Sequence, residues 1–73
     1  MRKIKIKTPY ITLGQFLKLI SLIGSGGEAK IFLQYHKVLI NDEPDNRRGR
    51  KIYPDDVVII DSEEYIVKSN ENL

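Results

Sequence analysis

The sequence contains no cysteine and a single histidine, His36. The absence of cysteine excludes disulfides, thiolate metal sites, iron–sulfur clusters and cysteine nucleophiles, and it fits a reducing compartment. One histidine cannot build a metal site by itself. We therefore expect a cytoplasmic protein that holds no metal and no other cofactor.

Long apolar runs are also missing. The longest one, from Leu19 to Ile23, is interrupted by Ser21, whereas a membrane-spanning helix needs about 20 apolar residues. The N-terminus lacks the apolar segment of a signal peptide. A chain of 73 residues, 41% hydrophobic and 30% charged, is expected to form one domain over residues 1–73 without a deep substrate cleft. We expect no membrane contact and no large-cleft enzyme.

The formal net charge of +2 conceals an uneven distribution of charge along the chain. Residues 1–51 contain 11 basic and 4 acidic side chains, a net charge of +7, and residues 52–73 contain 1 basic and 6 acidic side chains, a net charge of −5. This separation indicates a basic surface for a polyanion and an acidic part that faces elsewhere. The plainer alternative is a small fold that mixes both signs over its surface.

The N-terminal part predicts a strand followed by a helix. Residues 2–7 alternate polar and apolar side chains, which is typical of a half-buried strand with Ile4 and Ile6 directed inward. Residues 12–15 read as a capping box in which Thr12 and Gln15 satisfy the first free backbone donors of a helix. The helix that follows has an apolar face formed by Leu13, Phe16, Leu17 and Ile20.

A second helix is expected from a second capping box at residues 25–28 to about Tyr35. Its apolar stripe consists of Ala29, Phe32 and Leu33. Helical spacing places three polar side chains on the opposite, solvent-exposed side: Lys30, Gln34 and Lys37.

The C-terminal half predicts short strands and turns. Branched apolar residues favour strands over residues 38–40, 57–60 and 65–67, with a turn at Asn41 and Asp42 and a polar loop over residues 42–51. Residues 69–73 have the composition of a frayed tail. The whole pattern predicts an α+β domain in which two packed helices lie against a small, mostly antiparallel sheet.

The densest charged feature is a run of four cations in five positions around Gly49: Arg47, Arg48, Arg50 and Lys51. Arginine presents a planar fork of donors that matches phosphate, and a glycine lets neighbouring forks point in different directions. Lys18, Lys30 and Lys37 on the exposed helix faces would extend this arm into a surface. A loop that is merely solvated is the alternative.

Other motifs give weaker signals for chemistry. The glycine-rich segment 24–27 precedes a helix, but it lacks the Lys-Ser/Thr pair of a nucleotide-binding loop and reads better as a tight inter-helix turn. The adjacent acids at 55–56 and 63–64 fit turn positions better than opposed catalytic carboxylates. No serine has a local partner that would activate it. We therefore expect no enzyme.

Three tyrosines are candidates for stacking contacts with a nucleic acid. Tyr10, Tyr35 and Tyr53 could stack on RNA bases, although tyrosines in so small a chain commonly serve core or rim packing.

These elements resemble the αL motif of the S-four RNA-binding domain, named after ribosomal small-subunit protein four. The resemblance covers about residues 12–60. It rests on the first-helix pattern, on a second helix that opens with Ser25, Ala29 and Lys30, on the strand residues 38–41, and on Pro54, Asp56 and Val57. In more detail, residues 11–18, 25–30 and 41–51 resemble a small stand-alone bacterial subgroup called YaaA.

The resemblance implies binding to structured RNA, often ribosomal RNA, without catalysis by the domain. Gly26 stands where an RNA-contacting arginine is common in the broad family, and Thr12 and Gly14 stand where many members have arginine and aspartate, which shifts the expected contacts toward the arginine-rich arm. The expected RNA-binding residues are Arg47, Arg48, Arg50, Lys51, Lys30, Lys18, Ser25, Gln15 and Lys37.

Two alternatives concern the partner. We expect a monomer whose partner is RNA. A protein-interaction module that docks through its acidic C-terminal part or through a sheet edge is the other reading.

Overall fold

The structure is a computed structural model that describes residues 1–70 of the chain. It contains two helices, α1 (Leu13–Leu19) and α2 (Ala29–Tyr35). The strands are β1 (Arg2–Ile6), β2 (Ile11–Thr12), β3 (Val38–Ile40), β4 (Glu43–Pro44), β5 (Lys51–Ile52), β6 (Val57–Ile60) and β7 (Glu63–Ser69). Neither helix in the described part of the chain has the length and apolar character needed to cross a membrane.

Five strands form one sheet in the order β1-β7-β6-β3-β4, and β2 and β5 form a separate two-stranded ribbon. Strand β1 runs parallel to β7, and every other pairing is antiparallel. The predicted α+β class with a mostly antiparallel sheet is therefore confirmed.

Helix α1 begins at the predicted capping box. Thr12 has an extended backbone, the Gln15 N–H donates to Thr12 Oγ1 at 3.2 Å, and the Thr12 N–H donates to Gln15 Oε1 at 2.8 Å. Leu13, Phe16 and Leu17 are fully buried. The apolar spacing therefore places the predicted face of α1 in the core.

The second helix begins later than the sequence predicts. The Ser25 side chain makes no capping hydrogen bond, and Gly26–Glu28 form a single 3₁₀ turn ahead of α2. The Glu28 carboxylate accepts a hydrogen bond from the Gly24 N–H at 2.9 Å. The predicted capping box at Ser25 is therefore wrong, because Glu28 turns back to Gly24 and not to the Ser25 backbone.

The core joins both helices to one face of the larger sheet. Alternate residues of β3, β6 and β7 are buried, as the period-two geometry of a strand requires. The Phe16 ring meets the Tyr65 ring edge-on at 5.5 Å between centroids. The buried apolar cluster also takes in Ala29 and Leu33 of α2 and Ile52 of β5. Hence residues of both helices, of the larger sheet and of the ribbon share one buried apolar cluster.

Two hairpin turns have the backbone that their residue types favour. Asn41 and Asp42 between β3 and β4 have φ of 51° and 70°, and Asp61 and Ser62 between β6 and β7 have φ of 49° and 75°. Consecutive positive φ values match the right-handed twist of a hairpin, and Asn and Asp tolerate them better than most residues. The turn predicted at Asn41 and Asp42 is confirmed.

Asn41 also forms a clasp with the turn before β6. Its Nδ2 donates to Asp56 Oδ1 at 3.0 Å, and its Oδ1 accepts from the Val57 N–H at 2.9 Å. The other oxygen of Asp56 accepts from the Tyr53 N–H at 2.8 Å. Three residues of the S-four-like pattern, Asn41, Asp56 and Val57, therefore hold the sheet together.

The last strand is longer than the three residues predicted for it. Strand β7 pairs with β1 as far as Ser69, and the Asn70 N–H donates to Ile6 O at 2.8 Å. The chain is thus hydrogen-bonded where the sequence suggests that a tail begins. The rest of that predicted tail, residues 71–73, lies outside the described residues.

Candidate nucleic-acid interface

The arginine-rich arm, residues 45–51, is attached to the N-terminus of α1 by its backbone. The Leu13 N–H donates to Arg50 O at 2.8 Å, and the Gly14 N–H donates to Arg48 O at 2.9 Å. Within the arm, the Arg50 N–H donates to Arg47 O at 3.0 Å and closes a turn. The free donors at the start of a helix thus take arm carbonyls as acceptors, which fixes the path of the arm beside α1.

Gly14 allows this close approach. A Cβ atom at this position would lie 3.4 Å from Arg48 O and 3.7 Å from the Ala29 Cβ. An alanine would be in ordinary contact there, and a larger side chain would push against the arm backbone.

Asp45 organises two of the arm's arginines. Its Oδ1 accepts from the Arg47 N–H at 2.9 Å and from Arg47 Nε at 3.1 Å, and its Oδ2 accepts from Arg47 Nη2 at 2.8 Å and Arg50 Nη1 at 3.0 Å. Only 7% of the Asp45 side chain is exposed. The hydrogen bonds from the Arg47 side chain hold the pKa of Asp45 well below its ordinary value, against the opposing effect of burial.

Arg47 and Arg50 therefore do not act as two independent cations. Together with Asp45 they carry a net charge of +1. The Arg47 side chain is 71% exposed and the Arg50 side chain 28% exposed, so Arg47 is the more accessible of the pair.

Arg48 lies between two hollows on the surface. One, of about 370 Å³, is lined by Arg48 together with Lys30, Leu33, Gln34 and Asn46. The other, of about 350 Å³, includes Arg48, Gly49, Thr12 and Gln15 in its lining. The fold thus brings Arg48 of the arm together with Lys30 of α2 and Gln15 of α1, three of the predicted binding residues.

Lys37 lies on the far side of the arm. It lines a third hollow, of about 570 Å³, with His36, Arg47 and Arg50. His36 itself pairs through Nδ1 with the Asp61 carboxylate, and its ring stacks on Phe32 at 4.0 Å between centroids. A structural role for His36 fits these contacts.

Two predicted residues outside the arm line none of the three hollows described above. Lys18 is exposed in the last turn of α1, and Ser25 is exposed in the turn before the 3₁₀ segment. Gly26, which follows Ser25, does line the hollow that contains Arg48 and Gly49.

Lys51 begins the β2–β5 ribbon. Strand β5 pairs Lys51 with Thr12 and Ile52 with Ile11. The Lys51 ammonium lies 5.0 Å from the centroid of the Tyr10 ring, a cation–π distance. The last cation of the arm is therefore packed against an exposed aromatic ring.

Two residues of this surface were not chosen from the sequence as binding residues. Asp45 orders Arg47 and Arg50. Asn46 lines both the hollow that contains Lys30 and the hollow that contains Lys37. The position of Asp45 next to the four cations indicates this role, because a carboxylate adjacent to arginines commonly pairs with them.

The adjacent acids Asp55 and Asp56 have structural partners. Asp55 accepts from Lys68 Nζ at 2.7 Å, and Asp56 belongs to the clasp with Asn41. Within residues 1–70, no group of three His, Cys, Asp or Glu side chains is arranged to hold a metal ion.

An anchored basic arm beside two short helices is the arrangement expected of the RNA-binding family that the sequence resembles. The S4 domain family matches residues 4–68 of the chain. The chain therefore belongs to the S4 domain family. Among curated proteins it is similar to a probable ribosome maturation protein, RlbA, of Bacillus subtilis (strain 168), with 67% identity over 58 residues, which cover 80% of this chain and 82% of that protein. No solved structure gives a significant match.

Proposed function

We propose that this protein is a non-catalytic, cytoplasmic RNA-binding protein that binds structured ribosomal RNA as a monomer. Its basic face consists of the arm, residues 45–51, with Gln15 of α1 and Lys30 and Gln34 of α2. Membership of the S4 domain family supports RNA as the ligand. The name of the Bacillus relative, a probable ribosome maturation protein, supports ribosomal RNA as the target.

The observation that carries the proposal is the position of Arg48. The carbonyl of Arg48 is fixed by the Gly14 N–H, and its side chain lies between hollows that Lys30 and Gln15 also line. Among residues 1–70, no carboxylate lies within ion-pair distance of Arg48, Lys30 or Lys51. These three cations are therefore available to phosphates.

Asp45 would improve binding by ordering the arm in advance. An arginine that is already held in place loses less conformational freedom when it contacts a phosphate. The Arg47 fork retains donors that Asp45 does not use, since Asp45 takes Nε and Nη2 but not Nη1. Arg47 would add a contact at the exposed side of the arm.

Phosphate contacts of this kind supply affinity and position, and RNA shape supplies most of the selectivity. The bases of an A-form helix are hard to reach through its deep, narrow major groove, so proteins recognise duplex RNA mainly through its backbone and its shape. Arg48, which lines a hollow on either side, would make such contacts with the RNA backbone.

The test is a titration of a structured RNA at several salt concentrations. With about three or four phosphates neutralised, log K should fall against log salt with a slope of about −3. Arg48→Ala should lower affinity roughly tenfold to a hundredfold and reduce the slope by about one unit, since hydrogen bonds to charged groups contribute about 1.5–3 kcal/mol. Arg48→Lys should fall between the wild type and Arg48→Ala, because lysine keeps the charge and loses the planar fork.

Lys5→Ala is the matched control. It removes one exposed cation from β1, at the sheet edge opposite β4 and the arm. Equal losses for Arg48→Ala and Lys5→Ala would contradict a localised site. A flat salt response would contradict RNA binding through this face and favour a protein partner.

The protein-docking alternative would have to use the acids of the C-terminal part that have no partner within the protein. Asp55 is paired with Lys68, Asp56 with Asn41, and Asp61 with His36. Among the described residues this leaves Glu63 and Glu64, which are exposed on β7 and form no ion pair. The two sheet edges are poor docking strands, since β1 carries exposed lysines and β4 is two residues long and includes Pro44.

A further inference from the structure

The ribbon of β2 and β5 has one buried face and one exposed face. Ile11 and Ile52, which are paired across it, belong to the core or pack against it, and Ile52 is fully buried. Because successive side chains on a strand alternate between faces, their neighbours point outward. The outward face therefore carries Tyr10, Thr12, Lys51 and Tyr53.

The two tyrosines form an exposed aromatic pair at the end of this face. Their ring centroids are 5.6 Å apart with a tilt of 47°. Tyr10 is 38% and Tyr53 48% exposed. Neither ring belongs to the buried core cluster or to the apolar residues packed against it, so core packing does not account for their position.

The backbone on both sides of the pair is fixed. The Tyr53 N–H donates to Asp56 Oδ2 at 2.8 Å, and Tyr53 O accepts from the Asp56 N–H at 3.0 Å. On the other strand, Tyr10 O accepts from Thr8 Oγ1 at 2.7 Å. The rings are thus presented from an ordered support.

The aromatic pair is continuous with the basic face. Lys51 contacts the Tyr10 ring and directly follows Arg50 of the arm. Thr12, which pairs with Lys51, lines the same hollow as Arg48 and Gly49. A nucleotide whose phosphate contacts Arg48 or Lys51 would therefore have the tyrosines beside it.

We propose that Tyr10 and Tyr53 form a stacking site for an unpaired nucleotide of the RNA that the basic face binds. This inference rests on the proposed function and specifies its ligand. Bases inside a duplex are stacked on each other, and only a base in a loop, a bulge or a single-stranded end is free to stack on a side chain. The RNA recognised is then a duplex that adjoins an unpaired nucleotide, with little preference among bases, since each base has a face to stack.

The experiment compares two RNA hairpins with the same duplex. One ends bluntly, and the other carries a short single-stranded extension that contains 2-aminopurine, whose fluorescence reports stacking. The wild-type protein should bind the extended hairpin roughly fivefold to a hundredfold more tightly, the range expected for stacking a base on an aromatic ring. The 2-aminopurine fluorescence should change on binding.

Tyr53→Leu should remove the advantage of the extension and the fluorescence change, while the affinity for the blunt hairpin stays at the wild-type value. Tyr53→Phe keeps the ring and should behave as the wild type. Tyr35→Leu is the matched control, because Tyr35 is 78% exposed but lines a different hollow, with Leu22 and Ile31. Thermal unfolding of each variant checks that it is folded.

If Tyr53→Leu binds the extended hairpin as tightly as the wild type does, the stacking site is overturned and the proposed function still stands. A wild-type protein that binds both hairpins equally, with a steep salt dependence, would do the same. Binding of neither hairpin would overturn the proposed function itself, so the two failures are distinguishable.

Discussion

Individual hydrogen-bonded pairs explain why several residues of the S4-like pattern occur where they do. Asn41 and Asp56 are 15 positions apart and contact each other at 3.0 Å, and the backbone of Val57 completes the contact. Their side chains satisfy backbone donors of the turns around β6. Pattern residues of this kind stabilise the fold through contacts between its turns and strands.

The two residues that the sequence marks as helix caps should differ in their effect on stability. Thr12→Ala removes a reciprocal capping pair and should lower the free energy of unfolding by about 0.5–2 kcal/mol. Ser25→Ala removes a side chain that makes no capping bond and should change it by less than about 0.5 kcal/mol. Urea denaturation of both variants measures this. Equal destabilisation would contradict the late start of α2.

This contrast shows what local sequence could predict about the helix starts. At Thr12 the capping box and the apolar spacing agree and the box contains one glycine, Gly14, and the helix begins where they predict. At Ser25 the same four-residue signature contains Gly26 and Gly27, which impose no helical preference. Glu28 then has Gly24 as a competing donor, and the signature alone does not reveal this competition.

At the level of elements, the arm depends on contacts in two directions. Its backbone is attached to α1 through Leu13 and Gly14, and two of its three arginines, Arg47 and Arg50, are attached to Asp45. The arm has no regular secondary structure between β4 and β5, so these contacts replace a hydrogen-bonded ladder. The order of the arm is therefore sensitive to Asp45.

Asp45→Asn should lower the free energy of unfolding at neutral pH by about 1–2 kcal/mol. This loss is smaller than is usual for hydrogen bonds between charged groups, because Arg47 is largely exposed to solvent. The folded state lowers the pKa of Asp45, so its contribution is complete above the ordinary aspartate pKa. That contribution is lost progressively as the pH falls below about 4.

The measurement is the difference in unfolding free energy between the wild type and Asp45→Asn at several pH values. It should be largest near neutral pH and shrink toward about pH 2. Asp42→Asn, at an exposed turn position that asparagine tolerates, is the control and should have little effect at neutral pH. A difference that stays constant on acidification would show that the carboxylate charge does not hold the arm.

The strand pairings explain which parts of the candidate site could not be predicted from the sequence. The cations of the arm were visible as a run in the sequence. The contact between the Tyr10 and Tyr53 rings depends on the pairing of β2 with β5, two strands of two residues each. Strands this short carry no period-two pattern, so nothing in the sequence indicates that these tyrosines meet.

At the scale of the whole molecule, the charge split of the sequence does not translate into one basic face. Four of the N-terminal cations, Arg2, Lys3, Lys5 and Lys7, lie on or directly after β1. Strand β1 forms the sheet edge opposite β4, from which the arm departs. Lys3 and Lys5 on β1 therefore lie at the opposite sheet edge from the arm, whereas Lys7 is three residues before Tyr10, whose ring contacts Lys51 of the arm.

This separation permits a direct test in cells, since two variants of equal charge can be compared. Lys30→Glu/Arg48→Glu reverses two cations of the basic face, and Lys3→Glu/Lys5→Glu reverses two cations of β1. Both variants have the same net charge, so a difference between them reports position and not total charge.

The most direct measurement is ultraviolet crosslinking of the tagged protein in bacterial cells, followed by sequencing of the attached RNA. The wild type and the β1 variant should both crosslink to ribosomal RNA at the same positions, and the basic-face variant should lose most of that signal while remaining folded. Absence of ribosomal RNA from the wild-type crosslinks, or equal crosslinking by the two charge-reversed variants, would contradict the account.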